Sequence, residues 1–470
     1  MKVDTVIVGA GTAGLSALRE VRRYTDDFVL VNDGRWGTTC ATTGCMPSKA
    51  LIEAANAYHR RHAFKEFGIS GAEALRADIP AVLAHVRRLR DDFSEGPASV
   101  RDRLGDRAIS GRARLAGPGR VEVAGRMVEA RAVILAPGSQ PVVPGPWQRF
   151  GERILTTDSL FEQEHLPGRI AVVGMGFIGV ELAQALARLG LDVAGFDAVE
   201  TVAGIDDPEV LEALRPGLSA EFALYLGGAA ELEEAGDAIR VSGAGGAFET
   251  DAILAAMGRR PNVEGLGLDT LGVPLDDRGM PEIDPETLRI GGLDVFLAGD
   301  ANGYRPLLHE AADEGYIAGR MANPEVDCNG LCRRTPLSVT FCDPQVARVG
   351  PPLSELEGQD IVSATADFSN QGRARLSAAS GGILRVHADR RTGRLLAAEM
   401  CAPAAEHLAH LLALAVEREI TVAGMLAMPV YHPVLEEGLR SALRDLARQV
   451  PPSEGPDLSE CPDIGHAALD

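Results

Sequence analysis

The sequence predicts an α/β fold with two dinucleotide-binding βαβ units followed by an α+β module, on three observations. An apolar run at residues 2–8 meets Gly9-Ala-Gly11-Thr-Ala-Gly14 at once, and a helical run follows. The same pattern returns at residues 170–173, with Gly174-Met-Gly176-Phe-Ile-Gly179 and a second helical run. Gly9, Gly14 and Asn32 each stand 165 positions before Gly174, Gly179 and Asp197, so the two units align without a gap. Past Pro336 the glycine pattern is gone, and alternating strands with two helices take over.

Each element has a local reason. Residues 2–8 form a buried parallel strand; the glycines permit a tight turn and close backbone approach, and the helix start receives a pyrophosphate. A helix over 15–24 and a strand over 28–31 complete the unit, after which an acidic side chain normally binds ribose hydroxyls; Asn32 stands there, with Asp33 next. Residues 58–104 are polar and helical, predicting a helix pair broken at Gly96-Pro97. A hairpin at 121–128 and a buried strand at 131–136 run into Pro137-Gly138-Ser139, and the Pro/Gly cluster over 137–146 is a linker.

The second unit has its helix over 180–189 and a strand over 191–196 ending in Asp197. A carboxylate there, with no Arg up to Glu209, favours a free ribose 2′-hydroxyl and hence NAD over NADP. Two dinucleotides in one chain make sense if electrons pass between them, for example from a nicotinamide to a flavin. Met257-Gly258-Arg259 leads out of the unit, and a strand from 295 runs into Gly299-Asp300, a carboxylate at a strand end where nucleotide ligands of open sheets sit. A helix over 307–321 follows. The last module has strands at 339–341, 382–387 and 395–400 and helices at 404–417 and 435–450, then a Pro-rich acidic tail over 451–470.

Composition narrows the function. A chain of 470 residues exceeds what one core supports. The net charge of −21 argues against nucleic acid and anionic membrane surfaces, which need clustered Lys and Arg. No apolar run is long enough to span a bilayer, and residues 3–8 are too short for a secretory signal, so a cytoplasmic location is expected. Seven cysteines, at 40, 45, 328, 332, 342, 401 and 461, do not form a disulfide framework.

Two of them are close: Cys40-Ala-Thr-Thr-Gly-Cys45-Met-Pro-Ser-Lys49 lies just after the first βαβ unit, at the start of a helix. A helix N-terminus lowers a thiol pKa, and Lys49 adds to the effect, so a reactive thiolate is expected near neutral pH. In a reducing compartment a persistent disulfide is usually catalytic. Cys328 and Cys332 have no further ligands grouped with them, so no metal site is expected. His432, between Tyr431 and Pro433, must sit on a loop, with Glu437 one turn into the next helix and near enough to orient the ring for acid/base work.

With Gly37-Thr-Thr-Cys40 through Lys49, the paired fingerprints, Gly299-Asp300 and His432-Pro433…Glu437 together, the chain resembles the flavin-dependent pyridine nucleotide-disulfide oxidoreductase family, and within it the dihydrolipoyl dehydrogenase branch, over about residues 1–450. The resemblance implies two Rossmann-like domains, for FAD and NAD, and a dimerisation domain. It divides the chain into 1–150 (FAD), 151–265 (inserted NAD), 266–333 (second FAD part), 334–450 (dimerisation) and the tail. It implies that Cys45 faces the flavin, that Cys40 exchanges with a dithiol or disulfide substrate, free or on a lipoyl domain, and that Lys49 pairs with Glu181. It puts Asp300 on the FAD ribityl chain, with Gly9, Gly11, Gly14, Asn32, Asp33, Thr39, Lys49 and Gly138 around FAD. Gly174, Gly176, Gly179, Asp197 and Gly258 would hold NAD, with Phe177 as an aromatic gate where Tyr is usual. His432, donated across a homodimer and fixed by Glu437, would be the acid/base. Asn32 replaces the usual acid, Pro137 the usual Thr, and Val430 a frequent His. Related disulfide reductases, including mercuric reductase, and an NADH-quinone or electron-carrier flavoprotein are the alternatives; a single Cys461 counts against the mercuric one.

Overall fold

In a computed structural model, described for residues 1–326, 333–379 and 381–452, the first unit builds a mixed sheet. Its parallel strands run in the order Ala108–Ser110, Phe28–Asn32, Lys2–Val8, Arg126–Leu135 and Val295–Leu297, and Arg120–Val123 and Arg114–Leu115 add antiparallel at the start of Arg126–Leu135, the former making the expected hairpin. Such strands are covered on both faces, which is why they read as unbroken apolar runs. Ile7, Phe28, Ile134 and Phe296 pack on one side, and Val6, Val29, Val133 and Leu297 on the other. The chain leaves this sheet after Leu135 and returns only at Val295 to add the strand beside it.

Between departure and return lies a second parallel sheet, ordered Ala223–Leu226, Asp192–Asp197, Arg169–Val173, Ala252–Ala255 and Ile154–Leu155. The crossing segments are zipped into a two-stranded antiparallel ribbon of Ser139–Pro141 and Arg259–Pro261, inside what the sequence suggested was a plain linker. An antiparallel meander of Glu231–Ala235, Ala238–Gly243 and Gly246–Thr250, not expected from the sequence, covers the second sheet through Ile239 and Val241 against Phe196 and Ile253.

The duplication extends to single hydrogen bonds. Gly9 N–H donates to Val31 O at 2.7 Å, and Gly174 N–H to Phe196 O at 2.8 Å. Ala10 N–H donates to Asn32 Oδ1 at 2.9 Å and Met175 N–H to Asp197 Oδ2 at 2.5 Å. A Cβ on Gly14 would lie 1.8 Å from Gly9 O, and one on Gly179 1.7 Å from Gly174 O, so the third glycine of each turn is dictated by close helix–strand approach.

The third sheet is antiparallel, ordered Leu337–Thr340, Gln345–Val349, Leu395–Ala402, Ile383–Asp389 and Ile361–Asp367, with helices Ala405–Glu417 and Glu436–Ala447 packed on it. Two of these strands, Gln345–Val349 and Ile361–Asp367, go beyond the three expected.

Helix limits also differ. The first helix is Thr12–Val21. Helix Cys45–His59 precedes the polar stretch over 58–104, which holds a helix pair, Ile79–Ala98 and Val100–Leu104, broken at Ser99, two residues past the expected Gly96-Pro97. Pro97 falls in the last turn, where its missing N–H costs one hydrogen bond rather than the helix. Helix Leu308–Met321 lies close on Thr12–Val21: a Cβ on Gly315 would meet Ala13 O at 2.1 Å, and Ser16 Oγ donates to Ala312 O at 2.6 Å. Among the described residues, no helix is long and apolar enough to cross a membrane, and no three His, Cys, Asp or Glu are grouped to hold a metal.

Candidate active site

Cys40 sits in the one-turn helix Thr39–Thr42, capped by Thr38 Oγ1, which accepts from Ala41 N–H at 3.2 Å. Cys45 is the first residue of helix Cys45–His59. Gly44 joins the two, and a Cβ there would lie 3.1 Å from Thr39 O and 3.3 Å from Cys40 Cα, so a larger residue would push the thiols' supports apart. Both thiols are free and half-buried, and they hydrogen-bond each other. Cys45 is drawn down to about 7, first by the hydrogen bond from Cys40 and then, against the opposing effect of burial, by the Lys49 ammonium. Cys40 is held far above the usual thiol range by the same hydrogen bond and by burial. The dithiol thus keeps its proton on Cys40 and its negative charge on Cys45. The sequence suggested the helix start as the main cause; the Cys40 thiol leads instead.

Lys49 is one turn further along the same helix. Its Nζ donates to Glu181 Oε1 at 2.9 Å and Oε2 at 2.7 Å. Glu181, buried in helix Phe177–Arg188, also accepts from Phe341 N–H at 2.8 Å, and Lys49 Nζ lies 4.8 Å from the centre of the Phe341 ring. One ion pair therefore ties both units and the third module together beside the thiols. Phe341 has no motif that would have announced it.

The residues fit the two nucleotides. Helices Thr12–Val21 and Phe177–Arg188 have no side-chain cap and no acid in their first turn, leaving backbone N–H groups for a pyrophosphate. Beside Gly11 and Gly176 nothing lies within 4 Å of where a Cβ would stand, so both turns present an open cradle. Asp300 Oδ2 accepts from Ser139 Oγ at 2.7 Å, and Arg259 Nε donates to the same hydroxyl at 2.8 Å. The buried Glu314 carboxylate accepts from Gly299 N–H at 2.6 Å and from Asn302 Nδ2 at 2.7 Å, which fixes the Gly299-Asp300 turn. Ser139, Arg259 and Glu314 were given no role from the sequence, because only the fold brings them to this strand end.

Other expected residues are placed as follows. Asn32 uses its carbonyl as Asp197 uses a carboxylate, but its Nδ2 donates to Asp33 O at 3.3 Å and Arg35 O at 3.0 Å, so the amide is built into the next loop. Asp33 and Thr39 are exposed, Gly138 is half-buried, and Gly258 is exposed, its carbonyl accepting from Val142 N–H. Phe177 is partly exposed at its helix start, its ring lying on Gly204.

His432 stands on the loop before helix Glu436–Ala447, after a run ending in the exposed Tyr431. Its Nδ1 is 3.0 Å from Glu437 Oε1, while Glu437 Oε2 accepts from Val434 N–H at 3.2 Å. The His432 hydrogen bond holds the Glu437 carboxyl below its usual range. The ring is 81 % exposed in a single chain, so Nε2 projects outward.

Residues 3–315 match the pyridine nucleotide-disulphide oxidoreductase family, and residues 337–443 match its dimerisation domain. The chain belongs to that family. It is 30% identical to a dihydrolipoyl dehydrogenase of Thermus scotoductus over 95% of this chain and 98% of that one. It is 27% identical to a mercuric reductase of Bacillus cereus, over 95% of this chain and 72% of the relative. The crystal structure of LpdA from Mycobacterium tuberculosis superposes with a TM-score of 0.82 at 25% identity, covering 94% of this chain and 100% of that one. The protein is a flavoprotein oxidoreductase using FAD and a pyridine nucleotide.

Proposed function

We propose that the protein is a homodimeric, NAD⁺-dependent dithiol dehydrogenase of the dihydrolipoyl type, acting through the Cys40–Cys45 pair. The observation that carries this reading is the charge-separated dithiol, Cys45 drawn down to about 7 beside the Lys49–Glu181 ion pair.

In the oxidised enzyme one substrate thiolate attacks Cys40 Sγ, the disulfide breaks, and Cys45 leaves as the thiolate that Lys49 stabilises. His432 of the partner subunit takes the proton of the second substrate thiol at Nε2. That thiolate attacks the substrate sulfur of the mixed disulfide, the substrate departs as a disulfide, and Cys40 leaves as a thiolate that takes the proton back from His432. Glu437 holds Nδ1, so only Nε2 is offered for proton transfer. The glycine turns bind and orient the nucleotides, and Asp300, steadied by Ser139, presents an acceptor to FAD hydroxyls. Bound FAD supplies the two-electron relay between the dithiol and the nicotinamide.

A second reading, another NAD(P)H-dependent disulfide reductase, draws on the substrate mouth: Val430 stands beside Tyr431, which is 82 % exposed. Initial rates of NAD⁺ and NADP⁺ reduction with dihydrolipoamide and a panel of other dithiols separate the two. Turnover with dihydrolipoamide and NAD⁺ above the rest is expected; none with dihydrolipoamide but turnover with another dithiol selects the second reading.

A further inference from the structure

The end of the second unit's ribose-binding strand carries an arginine that the local sequence does not reveal. Asp197 closes strand Asp192–Asp197, with its Oδ1 accepting from Val199 N–H at 3.2 Å. The loop beyond it is pinned to the end of the neighbouring strand: Gly227 N–H donates to Val199 O and Gly228 N–H to Asp197 O. Glu200 in this loop folds its carboxylate onto Gly227, where a Cβ would lie 2.3 Å from Oε1. Helix Pro208–Glu221 then brings Arg215 back to the same place, and its Nη2 donates to Glu200 Oε2 at 2.8 Å and to Glu200 O. Among the described residues, every hydrogen bond of this guanidinium comes from Nη2 and ends on Glu200, and Nε has no acceptor.

We propose that the Glu200–Arg215 pair is a specificity latch, in which Glu200 withholds Arg215 from a ribose 2′-phosphate and so helps keep the second unit selective for NAD. The inference rests on the reading that this unit binds the nicotinamide nucleotide. Asp197, Glu200 and Arg215 together carry one net negative charge, while a 2′-phosphate brings nearly two more negative charges. An arginine accommodates such a phosphate by charge-assisted, bidentate hydrogen bonds only when its donors are free. Glu200 is largely exposed, so its acid can be neutralised without opening the core.

The test uses the FAD-loaded enzyme with one dithiol substrate and four chains: wild type, Glu200→Gln, Arg215→Ala and the double variant. The quantity read is the ratio of kcat/KM for NADP⁺ to that for NAD⁺, with binding of 2′-phospho-AMP to the oxidised enzyme measured by calorimetry. Glu200→Gln is expected to raise the ratio at least about tenfold, the weight of one hydrogen bond to a charged group, with the gain in KM for NADP⁺. Adding Arg215→Ala should abolish the gain and the tighter 2′-phospho-AMP binding. An unchanged ratio in Glu200→Gln, or a gain that survives loss of Arg215, overturns the latch. A wild-type enzyme that reduces neither nucleotide overturns the nicotinamide reading and the latch with it.

Discussion

Replacing Lys49 by Met removes the cation beside the thiolate while keeping the helix and most of the side-chain volume. Cys45 stands at about 7 in the reduced protein, so about half of it is thiolate at pH 7. Lys49 lowers that value and Glu181 raises it. Deleting Lys49 therefore acts twice in one direction, since the Glu181 charge loses its partner as well. An opposite charge a few ångströms away is worth about 1–3 pKa units, so the thiolate at pH 7 should fall to about a tenth or less. Iodoacetamide alkylation of Cys45, followed by peptide mass mapping against pH in a Cys40→Ser background, reads this value, because serine keeps a donor for the Cys45 sulfur. Cys342 and Cys401 stay protonated across this range, burial holding Cys401 near 11 and Cys342 higher still. The alkylation midpoint should move up by at least about one unit and the rate at pH 7 fall at least about fivefold. Folding should weaken by about 1–3 kcal/mol, less than for a fully buried pair because Lys49 is about one-third exposed. A midpoint that stays at its original pH would refute the assignment of Lys49 as the thiolate's cation.

Three further outcomes are expected. His432→Ala should slow disulfide exchange about 10²-fold or more with the dimer intact in gel filtration, and full turnover with dihydrolipoamide would remove His432 from the chemistry. His387, buried with Nδ1 2.7 Å from Ser363 Oγ, is pushed down to about 4 by desolvation and by Arg385. The unfolded chain therefore binds an extra proton between about pH 6.5 and pH 4, and stability drops over that window by on the order of 3 kcal/mol. Urea midpoints of His387→Gln should fall less steeply there, and a parallel fall would count against this origin. Asn32→Asp turns two attractions, to Asp33 O and Arg35 O, into repulsions, so a loss of about 1 kcal/mol and a lower Tm of the FAD-free chain are expected, whereas an unchanged Tm would contradict the loop role given to the amide.

The two glycine turns were legible because their chemistry is local: strand, tight turn and helix start follow each other within about fifteen residues. The duplication was legible too, and it reappears bond for bond at Gly9 and Gly174. Strand Ile361–Asp367 was not, because its inward side chains are Val362, Ala364 and Ala366, too small to make an alternating apolar signal beside Thr365 and Ser363. The Gly96-Pro97 pair was legible as a break, since helix Ile79–Ala98 ends one residue past Pro97. In the candidate site, the pairings of Cys40 with Cys45 and of His432 with Glu437 were readable from spacing. Ser139, Arg259, Glu314 and Arg215 were not, since each acts on a residue of a different segment that only the sheets' strand ends bring near. Cys328, Cys332 and Cys461 lie outside the described residues.

The role of the cysteine pair is decided by one anaerobic experiment. The oxidised, FAD-loaded dimer is mixed with NADH in one portion and dihydrolipoamide in another, quenched with an alkylating reagent and mapped by mass spectrometry. Both portions should carry one new alkyl group on Cys40 and one on Cys45, where the untreated enzyme shows the two peptides cross-linked. A flavin bleached by NADH while those peptides remain cross-linked, or were never cross-linked, would contradict the relay.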